Sequence, residues 1–315
     1  MILLLSLTLL QQGRDTATPA APPRPRLTVT WTPSQPVQGS LILFRAKPAA
    51  GSPAPTAVEG HFAGEPLHFD RDSTGTFRAY AGIPVEARGR LSLPLTFQGP
   101  DSVTDSLTLS VPVASGQFRT EELTVDPKFT TPPDSALALR IEHENEAFRQ
   151  AWLESHQRPR MWKTAFARPR PSRITDVFGT GRMFNGVLKS RHLGTDFDGK
   201  VGESIRASND GVVTLVGDFF YTGNTVVIDH GEGIATAYFH MSRLLVNRGD
   251  SVSKGQLIGL VGATGRVTGP HLHWLAKYGT ISVNPMSLLS LTAAPGQPGV
   301  RRARRTTRSA QKTTN

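Results

Sequence analysis

The N-terminal third of the chain alternates apolar and polar residues in short runs that turn-forming residues separate. Because successive side chains of a β-strand point to opposite faces, this alternation predicts strands with one buried face. Short strands between Gly, Pro, Asp and Ser clusters predict an immunoglobulin-like antiparallel sandwich over residues 26–125, with His61 and His68 as ordinary surface or loop histidines. The runs are residues 27–31, 40–44, 76–80, 90–95 and 105–111.

A helical pattern replaces the alternation over residues 134–158, which contain no Gly or Pro. Four apolar residues recur there at helical spacing and fall on one face, and Asp134 or Ser135 is placed to cap the first turn. We therefore predict a short helical linker over residues 126–171, in which His143 and His156 are structural. The four apolar residues are Leu137, Ile141, Phe148 and Trp152.

A second β region follows at residues 172–290, where strand-like apolar runs alternate with dense glycine. Glycine adopts positive φ at little steric cost, so it suits tight turns between short strands. No long helical pattern is visible in this region. We predict an all-β domain of barrel-sandwich type, which makes the whole chain mainly β. The clearest runs are residues 212–216, 224–229, 234–240 and 257–261.

The two ends of the chain differ from both domains. Residues 2–10 form an apolar run that is too short to span a bilayer and is typical of a signal peptide, although no Lys or Arg precedes it. We predict that residues 1–25 are a signal peptide with a Pro/Ala-rich segment, and that the protein is secreted or periplasmic, at the cell envelope. Residues 291–315 are predicted to be a disordered basic tail.

The basic tail changes how the net charge is interpreted. Six Lys and Arg residues in the last fifteen positions account for six of the net charge of +10. A basic segment favours contact with polyanions, and for an exported protein these include anionic wall polymers. A solvated tail without a partner is the alternative.

The candidate chemistry rests on histidine and aspartate. The chain has no cysteine, which excludes disulfides, Cys-ligated zinc and cysteine nucleophiles. Five of the nine histidines fall between residues 192 and 273. His271 and His273 share one face of a strand, because they are two residues apart. His192 and Asp196 also align at an offset of four, although Asp198 has the same parity.

These residue types suit a zinc site. Zn²⁺ accepts imidazole and carboxylate ligands, and a catalytic zinc takes three of them and keeps one position open for water. His192, Asp196 and one histidine of the pair at 271 and 273 complete such a set. The other histidine of that pair and His240 are then available for acid–base chemistry. Two solvated histidines on an exposed strand are the alternative for the pair.

Together these motifs, from Phe178 to Pro285, resemble the lysostaphin-type (LytM-type) zinc endopeptidases, and they occur in the family's order. The resemblance covers about a third of the chain. The matching segments are Phe178-Gly179, His192-Leu-Gly-Thr-Asp196, the stretch from Gly223 to Gly231, Tyr238-Phe-His240, Gly249-Asp250, Gly255-Gln256, Gly259, Gly265, Gly269-Pro-His-Leu-His-Trp274 and Asn284-Pro285.

The resemblance implies a role for each site residue. His192, Asp196 and His273 correspond to the ligands of one zinc ion per chain, and His240 and His271 to the catalytic histidines. We therefore predict a zinc-dependent endopeptidase that hydrolyses peptide cross-links of bacterial peptidoglycan, as a monomer without a nucleic-acid partner. A non-catalytic cell-wall-binding protein, or an activator of other wall hydrolases, is the alternative, and the intact five-residue set argues against it.

Four neighbouring residues carry secondary expectations. Tyr238 lies two residues before His240, so strand alternation predicts that both face the cleft. His230 is expected to be structural. Arg182 and Asn185 lie where relatives carry a similar stretch, which would line the substrate groove or close over the metal. Hydrogen bonding within the loop is the alternative for both residues.

Overall fold

The computed structural model describes residues 26–100, 104–122, 132–184 and 187–291. The predicted signal peptide, and the predicted tail from residue 292 onward, lie outside the described residues. Strands dominate the described part, which confirms the prediction of a mainly β chain. Neither of its two helices is long and apolar enough to cross a bilayer.

The N-terminal domain consists of two four-stranded sheets around an apolar core. All five predicted runs coincide with strands, and two of them begin one residue before the strand. Three further strands escaped prediction. Two of them are only two residues long, and the third has an inward position at Gly60, where a Cβ would lie 2.5 Å from Leu95. The sheets have the orders β1-β2-β6-β5 and β4-β3-β7-β8, with β1 at Leu27–Thr32, β2 at Leu41–Pro48, β3 at Ala57–Phe62, β4 at Glu65–Pro66, β5 at Asp70–Arg71, β6 at Phe77–Gly82, β7 at Gly89–Gln98 and β8 at Thr104–Val113.

The C-terminal domain is built on one ten-stranded sheet, whose main path is β10-β13-β20-β17-β16-β15-β18. A hairpin of β11 and β12 lies beside it, and β9 from the preceding segment joins β11 in parallel. The elements are β9 (Thr120–Glu122), β10 (Ile174–Asp176), β11 (Gly181–Phe184), β12 (Val187–Arg191), β13 (Thr195–Asp198), β14 (Ser204–Arg206), β15 (Gly211–Phe219), β16 (Gly223–Gly231), β17 (Ile234–Leu244), β18 (Ser251–Val252), β19 (Leu257–Val261), β20 (His271–Tyr278), β21 (Ile281–Val283) and the short helix α2 (Pro285–Leu291).

The predicted helix is α1 (Ser135–Glu154), followed by a 3₁₀ turn at Ser155–Gln157. Asp134 caps it, since its carboxylate accepts a hydrogen bond from the backbone N–H of Leu137. Its apolar face packs on the C-terminal sheet, where the Phe148 ring lies 4.8 Å from that of Phe219. The helix is thus anchored to the C-terminal domain.

The two domains share a packed interface. Tyr278 and Val283 of the C-terminal domain belong to the same buried cluster as Leu41 and Phe62 of the sandwich. A hydrogen bond also crosses the interface, where the backbone N–H of Thr280 donates to the Glu65 carboxylate. Apolar burial at this boundary holds the domains in one arrangement.

One histidine prediction was wrong at this interface. His68 is not an isolated surface histidine, because its Nε2 lies 2.8 Å from Nδ1 of His156 and the two rings stack. His156 in turn bonds to the Glu65 carboxylate at 2.9 Å. The contact joins residues 88 positions apart, so local sequence pattern carries no sign of it. His61 is exposed, as predicted.

Replacing Glu232 with glutamine should make the stability of the protein less dependent on pH. Glu232 is 12% exposed, and burial beside the Asp70 carboxylate raises its pKa to about 8, with Arg160 opposing the shift. The folded state therefore keeps a proton that the unfolded state releases, and wild-type stability falls as pH rises from about 4.5 to about 8. We expect the unfolding free energy of Glu232→Gln, relative to that of wild type, to be about 1–2 kcal/mol higher at pH 8.5 than at pH 5.

Urea unfolding at the two pH values measures this difference. Glu59→Gln, at an exposed position of β3, is the matched control and should follow wild type at both pH values. If the unfolding free energy of Glu232→Gln changed with pH as that of wild type does, Glu232 would not be the group that keeps a proton in the folded state.

Candidate metal centre

A cleft of about 550 Å³ opens on the C-terminal domain. It is lined from β13, β17 and β20, from the β11–β12 hairpin, and from loop residues 221–222 and 266–270. The structure brings all five predicted site residues to this one cleft. They are His192, Asp196, His240, His271 and His273.

Strand alternation puts Asp196 and Asp198 on the same face of β13, and the pairing of β13 with β20 shows which of them is a ligand candidate. Asp196 lies opposite His273, and Asp198 lies opposite His271. Asp196 is buried, and its carboxylate contacts both His192 and His273. Asp198 is exposed. His192 lies in the loop after β12, and its side chain contacts Asp196. Asp196 is therefore the aspartate that lies between the two candidate histidine ligands.

Three ligand-type atoms converge at that point. Nε2 of His192 lies 3.0 Å from Oδ1 of Asp196 and 2.9 Å from Nδ1 of His273. Nδ1 of His273 lies 2.8 Å from the same Asp196 oxygen. Electron-pair donors this close in a buried setting need a proton or a cation among them. Two imidazoles and a carboxylate are ligands that divalent metals such as zinc accept, so these residues fit a metal ion.

Asp176 supports the first ligand and escaped sequence analysis. Its carboxylate accepts a hydrogen bond at 2.9 Å from Nδ1 of His192, whose other neighbour is the Val177 carbonyl. Burial alone lowers the pKa of His192, but the hydrogen bonds to Asp176 and Asp196 raise it to about 9. The contact with Asp176 holds a proton on Nδ1, so Nε2 is the nitrogen that would give up its proton to a metal ion at the centre.

Asp176→Asn should weaken metal binding about 10- to 100-fold, the usual effect of losing such a supporting carboxylate. Asparagine keeps the size of the side chain but removes the charge that favours the Nδ1–H form of His192. Competition with a chromophoric chelator measures the dissociation constant. Asp218→Asn, an exposed position on β15, is the control. Equal metal affinity in the two variants would show that Asp176 does not support the site.

Two further histidines line the cleft, and Nδ1 of each is engaged by a backbone carbonyl. Nδ1 of His271 donates to the Gly269 carbonyl at 2.8 Å, and Nδ1 of His240 donates to the Thr264 carbonyl at 2.9 Å. A carbonyl only accepts, so each neutral ring carries its proton on Nδ1. The two ring centres are 5.0 Å apart, and Nε2 of His271 lies 3.7 Å from Oδ2 of Asp196.

The electrostatic setting keeps His240 neutral. Burial, followed by the positive potential of the rings of His273 and His271, lowers the pKa of His240 to about 3. Its Nε2 is therefore a hydrogen-bond acceptor at neutral pH. A proton must first be transferred to Nε2 before this ring donates to a substrate.

Comparison with known proteins places this geometry in a family. Residues 190–285 match the model of peptidase family M23. The chain contains an M23 domain. This finding confirms the resemblance to LytM-type and lysostaphin-type peptidases predicted from the motifs.

The curated relatives match only part of this chain. Peptidoglycan DD-endopeptidase ShyA of Vibrio cholerae serotype O1 is 53% identical over 103 residues, which is 32% of this chain and 24% of ShyA. ShyC, a peptidoglycan DD-endopeptidase of the same organism, is 40% identical over 136 residues, or 42% of this chain and 31% of ShyC. The chain thus covers less than a third of either relative's length.

A solved structure extends the comparison beyond the M23 domain. A Pseudomonas aeruginosa protein described as a peptidase M23 has a crystal structure that superposes with a TM-score of 0.60 at 25% identity. The match covers 81% of this chain and 95% of that chain. This coverage is larger than residues 190–285, so the structural match extends beyond the M23 segment.

The expectation for Tyr238 was wrong. Tyr238 is fully buried and its hydroxyl accepts a hydrogen bond from the Ser208 backbone, so it belongs to the core of the M23 domain. The reason is the backbone at His240, whose φ of +63° interrupts the alternation of β17. Consecutive residues Phe239 and His240 therefore both line the cleft, and the Phe239 ring stacks on His273 at 5.2 Å.

The remaining expectations have different outcomes. His230 is completely buried between the Asp210 carbonyl and the Thr236 hydroxyl, and burial lowers its pKa to about 4, which agrees with a structural role. Arg182 lines the cleft. Asn185 lies outside the described residues.

Proposed function

We propose that the protein is a zinc-dependent endopeptidase that hydrolyses peptide cross-links of bacterial peptidoglycan. The observation that carries this proposal is the convergence of three metal-ligand atoms and two histidine Nε2 lone pairs on one cleft. Relatives of the M23 domain are named peptidoglycan DD-endopeptidases, which favours cross-link peptides as the substrate. Such a substrate places the protein at the cell envelope.

Zinc is the metal that the ligand set favours, with His192, Asp196 and His273 as its three protein ligands. When bound, it would polarise the scissile carbonyl and make hydroxide available near neutral pH. Asp176 orients His192 for this role, and Phe239 packs against His273. These contacts hold both rings in position before substrate arrives, which reduces reorganisation during the reaction.

The two remaining histidines carry the protons. His271 presents Nε2 as a base for the attacking water, because its Nδ1–H is engaged by Gly269. His240 also presents Nε2, and once protonated it donates to the oxyanion or to the leaving amine. Its positive-φ backbone is a sparsely populated conformation for a non-glycine residue, which costs of order 1–3 kcal/mol. We infer that function maintains this conformation, since it directs the ring into the cleft.

Digestion of purified peptidoglycan by the zinc-loaded protein tests the proposal. Mass spectrometry of the released fragments should show new amino and carboxyl ends within cross-link peptides, and a chelator should prevent their formation. The identity of those ends also names the scissile bond. A zinc-loaded protein that binds the wall and releases no fragment would instead be a non-catalytic wall-binding protein or an activator of other hydrolases.

A further inference from the structure

Arg266 is a cleft residue with no part in the metal site. It belongs to the loop between β19 and β20 and lines the same cleft as the metal-ligand group. Its guanidinium carbon lies 4.7 Å from the centre of the Tyr221 ring, and its backbone N–H donates to the Tyr221 carbonyl at 2.9 Å. A guanidinium stacked on an aromatic face leaves its N–H edge available for another partner.

The position of this loop is closely defined. Gly265 has a φ of +74°, and a Cβ at that residue would lie 2.4 Å from the backbone nitrogen of Gly223. The Thr264 hydroxyl also accepts a hydrogen bond from the backbone N–H of Asn224 at 2.9 Å. The segment of residues 221–224 therefore holds Arg266 over Tyr221 at the side of the cleft.

Within the described part of the chain, no acidic side chain neutralises the charge of Arg266. No carboxylate in the described ranges lies within 4.0 Å of its guanidinium, and the charged side chain that acts on it is Arg182, another cation. The acids of the cleft are engaged elsewhere. Asp196 and Asp176 contact His192. Glu121 lies 3.9 Å from Arg182, and Asp198 lies 3.6 Å from Arg173.

We propose that Arg266 binds a carboxylate of the substrate peptide close to the scissile bond, and so selects peptides that carry a free carboxylate there. The N–H edge of a guanidinium matches a carboxylate in a bidentate arrangement. Arg182 lines the same cleft but lies within 4.0 Å of Glu121 and Asp176, so Arg266 is the cation that the proposal uses. This inference rests on the proposed peptidase function, because a peptide lying along the cleft is what brings a carboxylate to Arg266.

Kinetics on matched substrates test the subsite. The probes are cross-linked muropeptide dimers released from peptidoglycan by a muramidase, and the same dimers after carbodiimide amidation of their carboxyl groups. For the full zinc-loaded chain we expect amidation to lower kcat/KM about 10-fold, in line with one charged hydrogen-bonded contact at a partly exposed site. Arg266→Ala should lower kcat/KM on free dimers by a similar factor, mainly through KM, and should no longer distinguish the two substrates.

Two further variants separate recognition from general damage. Arg266→Lys should restore part of the discrimination, since it keeps the charge but loses the bidentate edge. Arg248→Ala, which removes an exposed arginine that pairs with Glu154 on α1, should behave as wild type. An Arg266→Ala enzyme that still prefers free dimers as strongly as wild type, or that loses kcat equally on both substrates, would overturn the inference.

Binding measurements keep this inference distinct from the proposed function. Calorimetry with the same dimers uses zinc-loaded His271→Ala protein, with and without Arg266→Ala. Affinity that depends on both Arg266 and the free carboxylates supports the subsite even if wild type cleaves nothing, in which case only the peptidase proposal fails. The opposite result is also possible: wild type cleaves the dimers, but their affinity changes neither with Arg266→Ala nor with amidation. That result would support the peptidase proposal and contradict the carboxylate subsite.

Discussion

Asp196→Ala should empty the metal centre and abolish hydrolysis. The Asp196 carboxylate lies within 3.0 Å of ligand atoms of both His192 and His273, so its loss removes the anionic member of the ligand group found among the described residues. We expect the zinc content to fall from about one ion per chain to below about a tenth. Activity should fall by at least about 10³-fold, because several kcal/mol of transition-state stabilisation depend on the metal.

Elemental analysis of the dialysed protein and peptidoglycan digestion measure the two effects. Asp198→Ala is the matched control, since Asp198 lies on the same strand with the same parity and is exposed. It should keep both zinc and most activity. Zinc retained by Asp196→Ala and lost by Asp198→Ala would show that Asp198, and not Asp196, is the anionic ligand. Circular dichroism of both variants establishes that the sheet is intact.

His271→Ala should remove activity and leave the metal in place. Its Nε2 lies 3.7 Å from the Asp196 carboxylate and outside the three-atom ligand group, while its Nδ1–H is held by Gly269. Loss of a positioned general base lowers kcat by about 10²- to 10⁴-fold. The zinc content and the zinc dissociation constant should remain within about threefold of wild type, since no ligand is removed.

The contrast between the two variants is the informative result. Zinc content by elemental analysis and kcat from fragment release give both quantities for each protein. His61→Ala, on an exposed position of the sandwich, is the histidine control and should match wild type in both. Loss of zinc from His271→Ala would show that His271 is a metal ligand, and the general base for the attacking water would then have to be another residue.

Local pattern was sufficient where the physical rule is local. Alternation located the strands of the sandwich, because a strand with one buried face repeats every two residues. Helical spacing and the cap at Asp134 located α1 for the same kind of reason. The pair at 271 and 273 and the offset from His192 to Asp196 likewise followed from parity. These motifs were enough to predict the family.

Contacts across long sequence separations needed the fold. Parity could not choose between Asp196 and Asp198, because the choice depends on where the loop carrying His192 meets β13. Asp176 supports His192 from another strand, 16 residues earlier, and its neighbours in sequence form no motif. The contact between His68 and His156 exists only because two domains pack together.

Local rules also fail where the backbone departs from regular geometry. Alternation placed Tyr238 beside His240 in the cleft, but a single positive φ at His240 turns that side chain to the face of Phe239. Arg266 is one of many arginines in the sequence, and only the fold shows that it stacks on Tyr221 with no described carboxylate beside it. The sequence by itself thus determined the strands, the helix and the set of chemical groups. The tertiary structure decided which groups meet, because those distances depend on strand pairing, loop docking and one strained residue.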